Sequence, residues 1–168
     1  MKKILGIIIV TVFCSTYLSA ADKTWNPPSY KMYTQTLTEK VMASHPELIS
    51  ATFHGPVPGK TKVYTMFGGS YIDRIGNADD DDDIMVIEKG ITILDPRWHK
   101  THDPIQKYVV QLPLRNSAGE NIGLFVLAYH RNNNSTQTDR DYLDSATSIR
   151  DTIAQEIPSY DALFSPAK

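Results

Sequence analysis

Apolar residues at Tyr30, Tyr33, Leu37 and Val41 recur at the spacing of one helix face. They predict an amphipathic helix over Ser29–Ser44, entered through the extended "TWNPPSY" and capped by Ser29. After His45-Pro46 the pattern changes. Leu48–His54 and Lys62–Phe67 read as strands separated by the turn "GPVPGK", and Gly68-Gly69 breaks the second of them. The run "DDDDDIMVIEKG" then sets carboxylates before Ile84, Val86 and Ile87 and stops at Gly90. Acidic groups suit a helix N-terminus and glycine a left-handed cap, so this predicts a short helix whose charges face water. "ITILD", "KYVVQLPL" and "IGLFVLAYH" read as three more strands. The last is dense in apolar and β-branched residues, hence central, and "RNSAGEN" is a hairpin turn with Gly119 at positive φ. Tyr142, Ala146, Ile149 and Ile153 define a final helix that begins at Thr138 and ends before Pro158. Strands joined by short turns, with helices before and after them, predict an α+β domain: an antiparallel sheet of about five strands with N-terminal and C-terminal helices packed on it.

The first residues belong to a different pattern. Lys2 and Lys3, the apolar run Ile4–Cys14 and small residues at Ser19-Ala20-Ala21 read as a secretory signal peptide, residues 1–21, cut after Ala21. The apolar run is short for a bilayer span, and Val12 and Phe13 stand before Cys14 where a lipoprotein wants small residues. The expected location is therefore the periplasm or the medium, with no stable membrane insertion after cleavage. Residues 22–168 form one domain, with neither an internal repeat nor a second composition regime. Cleavage removes the single cysteine, Cys14, and two lysines, leaving 147 residues with 15 basic against 19 acidic side chains. Thiol chemistry and disulfides are excluded for that product, and a net charge of −4 offers nucleic acid no attraction.

The phrases "HPELISATFHGPVPG", "DRIGNADDDD", "LPLRNSAGENIG" and "SIRDTIAQEIPSYDALF", in that order, resemble small exported proteobacterial proteins with a single Cache-like (PAS-like) sensor domain. The resemblance spans roughly Ser44 to Phe164. It implies a five-stranded antiparallel sheet with a long N-terminal helix, a pocket on one sheet face and a small-molecule ligand. Typical sensors of this kind also carry membrane spans and a kinase or chemotaxis output, and this chain departs from them in being expected to act without its own output domain. A signal would then pass to a membrane receptor or transporter component.

Candidate ligand-binding residues are His54, Tyr64, Asp73 and Arg74. His54 lies in a phrase that carries the resemblance and is a hydrogen-bonding group for the pocket or a cap on its strand. Arg74 can pair with a carboxylate ligand bidentately or with a neighbouring aspartate. The alternative reading is a periplasmic divalent-metal-binding protein. Asn77, Asp79, Asp81 and Glu88 match positions 1, 3, 5 and 12 of a calcium loop, although Asp82 stands where such a loop turns on glycine. His99 and His102 have zinc-compatible spacing but need a further ligand. No cofactor motif is present, and Ser70 in "GGSY" has neither the elbow motif nor a base beside it, so no complete catalytic constellation supports an enzyme.

Overall fold

The computed structural model describes residues 23–96, 105–131 and 135–167. The signal-peptide expectation and the His99/His102 pair lie outside the described residues. Among those residues the chain runs α1 (Tyr33–Ser44), β1 (Leu48–Pro56), β2 (Tyr64–Gly69), a 3-10 turn (Ile72–Arg74), α2 (Asp81–Lys89), β3 (Ile93–Asp95), β4 (Lys107–Arg115), β5 (Asn121–His130), α3 (Asp139–Ala154) and a second 3-10 turn (Asp161–Phe164). The five strands form one antiparallel sheet in the order β2-β1-β5-β4-β3, so β5 is central as its composition predicts. No helix among the described residues is long and apolar enough to cross a membrane.

Helix α1 begins about one turn later than the Ser29 reading. The preceding backbone is committed elsewhere: Met32 bridges to Pro166, Ala167 N–H donates to Lys31 O at 2.8 Å, and Tyr33 N–H donates to Ser165 O at 2.8 Å. Those bonds hold the C-terminal segment beside the helix entrance, an arrangement that local spacing does not carry. α2 starts at Asp81 and ends with Gly90 in the left-handed conformation, φ 64°, its N–H donating to Val86 O. α3 carries a full capping box: the Asp141 N–H donates to Thr138 Oγ1, and the Thr138 N–H donates back to Asp141 Oδ2.

Strand alternation assigns the two sheet faces different work. Ala51, Phe53, Val110, Leu112, Leu114, Phe125 and Leu127 point to the face covered by α1 and α3, where Leu37, Val41, Tyr142, Ala146, Ile149 and Ile153 complete the main core. Full burial of each large apolar side chain contributes about 1.5–3 kcal/mol. Tyr142 also stacks on Tyr108, with ring centroids 3.8 Å apart and planes 11° from parallel. The opposite face carries Ser50, Thr52, His54, Gln111, Val126 and Ala128, and α2 packs across it against β1, β4 and β5. This second face is the polar one, although it too is largely buried.

Candidate functional site

Three buried polar residues stand side by side on this second face. Thr52 and His54 are alternate residues of β1, and Gln111 sits across β5 from them in the middle of β4. Together with Ser50, Val126 and Ala128 they floor a cavity of about 160 Å³. Its walls come from the segment between β2 and α2, with Tyr71, Arg74, Asn77 and Asp80, and from the first turn of α2, with Asp82 and Asp83.

His54 is the centre of the polar network. Its Nδ1 donates to Asp79 Oδ1 at 2.8 Å, and Asp83 Oδ2 lies 3.7 Å from the same nitrogen. Its other nitrogen, Nε2, meets Thr52 Oγ1 at 2.7 Å. Asp83 is held in turn by Gln111, whose Nε2 donates to Asp83 Oδ1 at 2.9 Å. The Asp79 side chain has no exposed surface, and its second oxygen, Oδ2, has no hydrogen-bond partner. Burial alone would lower the His54 pKa, but the charge and hydrogen bond of Asp79, then the charges of Asp83 and Asp80, raise it above the usual histidine value. Burial pushes the Asp83 carboxyl above the usual carboxylate range, against the pull of His54.

The predicted residues divide between this cluster and other places. His54, expected as the last residue of its strand, lies inside β1, which continues to Pro56, and it faces the cavity. Arg74 also lines the cavity, with its guanidinium 4.6 Å from the centre of the Tyr71 ring. Asp73 is exposed on the 3-10 turn, and Tyr64 donates its hydroxyl to Glu88 Oε1 at 2.8 Å; neither lines the cavity. Of the calcium-loop set, Asn77 lines the cavity, Asp79 binds His54, Asp81 is exposed at the start of α2, and Glu88 is taken by Tyr64. These four do not converge; among the described residues, His54, Asp79 and Asp83 are the acidic and imidazole groups that do. The aspartate run is thus a helix start, but it is not wholly solvated. The extended residues before α2 carry the Asp79 side chain inward, and the first turn of α2 brings Asp83 over the sheet.

Thr52, Asp83 and Gln111 are functional candidates that the sequence reading passed over. Two of them left a trace: Ser50, Thr52 and His54 place polar groups at alternate positions of an apolar strand, and Gln111 interrupts Tyr108–Leu114. Asp83 left none, being one of five identical neighbours.

The architecture, a five-stranded antiparallel sheet with helices packed on it, is a GAF-like fold. The GAF domain of a two-component sensor histidine kinase from Bacillus halodurans aligns with a TM-score of 0.51 at 10% identity, covering 76% of this chain and 95% of that one. The cofactor-binding GAF domain of the nutrient sensor CodY from Clostridium difficile aligns at 0.45, with 14% identity over 77% of this chain and 87% of that one. The Escherichia coli DcuS sensor domain aligns at 0.40, with 16% identity over 68% and 70%. At these identities the likeness is one of fold, carried by the first of the three. No family model matches the chain, and no curated relative does.

Proposed function

We propose that this chain is an exported, single-domain sensing module that binds a small polar molecule between α2 and the sheet and presents the bound state to a membrane receptor or transporter component. The observation that carries the reading is the cavity itself. Thr52, His54 and Gln111 are polar side chains buried on a sheet face, where apolar residues would cost less. A cavity with a few convergent polar groups orients a small ligand. Arg74 is the cavity's guanidinium and meets a ligand carboxylate, while Asp80 and Asp82 on the wall favour a ligand that also carries positive charge. The basic start and the Ser19-Ala20-Ala21 site support export.

Two measurements test the reading. Native mass spectrometry and a thermal-shift screen of small zwitterions and carboxylates identify the ligand. At a hundredfold excess over Kd, binding adds about 2.7 kcal/mol of stability. Arg74→Ala, at an exposed position, weakens that shift without unfolding the protein. The reading fails if no such compound moves the melting temperature, or if Arg74→Ala leaves the shift unchanged. For export, N-terminal sequencing of protein recovered outside the cytoplasm gives Asp22 first; an intact Met1 overturns it.

A further inference from the structure

The His54 cluster has a feature that an organic ligand in the cavity does not account for. Two carboxylates, Asp79 and Asp83, face one imidazole with side chains that are 0% and 14% exposed. With His54 protonated and both carboxylates ionised, the trio keeps one net negative charge, which is costly to bury. Asp79 Oδ2 deepens the deficit, since a fully buried carboxylate oxygen has no donor at all. The group therefore lacks both a positive charge and a bonding partner in the same place.

We propose that His54 Nδ1, Asp79 and Asp83 bind a divalent first-row transition ion of the zinc kind. One candidate ligand atom from each residue lies within 4.8 Å of the others. Donors held about 2.1 Å from one ion are roughly 3.0–3.4 Å apart at octahedral or tetrahedral angles. The Nδ1 separations of 2.8 Å from Asp79 Oδ1 and 3.7 Å from Asp83 Oδ2 bracket that range. The ion replaces the proton on Nδ1, and an Asp79 carboxylate that binds it through both oxygens gives Oδ2 its partner.

The surrounding bonds are those that such a site needs. Metal-bound histidine uses its other N–H to fix the ring, and here Nε2 faces Thr52 Oγ1. Ligating carboxylates are themselves hydrogen-bonded, and Gln111 holds Asp83. An imidazole beside two carboxylates selects a borderline ion over calcium or magnesium, which take oxygen alone. Three protein ligands leave coordination positions for water or for a donor from the cavity that His54 and Asp83 line. The ion site stands whether or not the cavity takes an organic molecule.

The test uses the full chain without a polyhistidine tag, stripped with chelator and titrated with Co2+, whose visible bands report nitrogen and oxygen ligation. We expect one ion per chain, displaced by stoichiometric Zn2+ and retained in millimolar Ca2+ or Mg2+. Asp79→Asn and Asp83→Asn each weaken binding at least tenfold. Asp81→Asn and the double variant His99→Ala/His102→Ala leave it unchanged. The proposal is overturned if wild-type protein shows no stoichiometric Co2+ bands, if calcium displaces the ion, or if Asp81→Asn or the His99/His102 variant costs as much as Asp79→Asn. Should Asp79→Asn not fold, Asp83→Asn and the wild-type spectrum decide. Loss of Co2+ binding with an intact thermal-shift response to zwitterions separates this site from the small-molecule reading.

Discussion

A valine at position 52 keeps the volume and branching of Thr52 but removes the hydroxyl that meets His54 Nε2 at 2.7 Å. A buried ring nitrogen is then left without a partner. Thr52→Val is expected to lower stability by about 1–3 kcal/mol, read from urea denaturation. An unchanged midpoint would mean that the imidazole is not held from this side. Gly119 is a contrasting residue, because nothing lies within 4 Å of where its side chain would be and its φ is 80°. Gly119→Val therefore acts through the backbone alone and is expected to cost about 1 kcal/mol or more. Its melting temperature checks this, and an unshifted value would mean that the β4–β5 turn tolerates a branched residue.

At the scale of the element, α2 does two jobs with different residues. Val86 is fully buried against the sheet, whereas Asp81 and Asp82 are exposed. Val86→Ala is expected to cost about 2 kcal/mol. Asp82→Asn should stay within about 0.5 kcal/mol of wild type. Chemical denaturation of the pair shows whether packing or charge anchors the helix. α3 depends instead on its start. Thr138→Ala removes the capping oxygen and is expected to cost about 1 kcal/mol. The backbone and side-chain hydrogen bonds from Thr138 hold the Asp141 carboxyl below the usual carboxylate range. Its folded-state pKa is thus below the unfolded value. The associated stability is complete above the unfolded pKa and is lost as pH falls through the folded one. Thermal melts of Asp141→Asn should accordingly show a shallower loss of stability below pH about 4 than wild type; parallel curves would mean that the cap contributes nothing.

At the scale of the whole molecule, the sheet order β2-β1-β5-β4-β3 lays the C-terminal half of the sheet beside the N-terminal half. β1 and β5 become neighbours, which brings Thr52 across from Val126 and His54 across from Leu124, with Gln111 one strand beyond Val126. The same packing turns Asp79 toward His54 and Glu88 toward Tyr64, dividing the residues of the calcium-like spacing. Millimolar calcium should therefore raise the melting temperature no more than magnesium does. A calcium-selective rise, lost in Asp81→Asn, would show the loop to be a site after all.

The sequence by itself determined the elements and the class of fold, because hydrophobic period and caps act over a few neighbouring residues. α2 with its Gly90 cap, the Thr138 start of α3, the central place of β5 and the strands were legible in this way, except that Gly68 and Gly69, expected to break the second strand, pair with Phe53 and Thr52 inside β2. His54 and Arg74 were legible as candidates for the cavity, one from its place in a phrase and the other from its ligand chemistry. Only the tertiary structure decided which of five adjacent aspartates are buried, that Tyr64 and Asp73 stand away from the cavity, and that α1 begins at Tyr33. Identical neighbours carry no pattern that separates Asp79 and Asp83 from the rest. Their selection depends on how the extended entry to α2 and its first turn meet a strand about 25 residues earlier in the chain, and that meeting is set by sheet pairing rather than by local spacing.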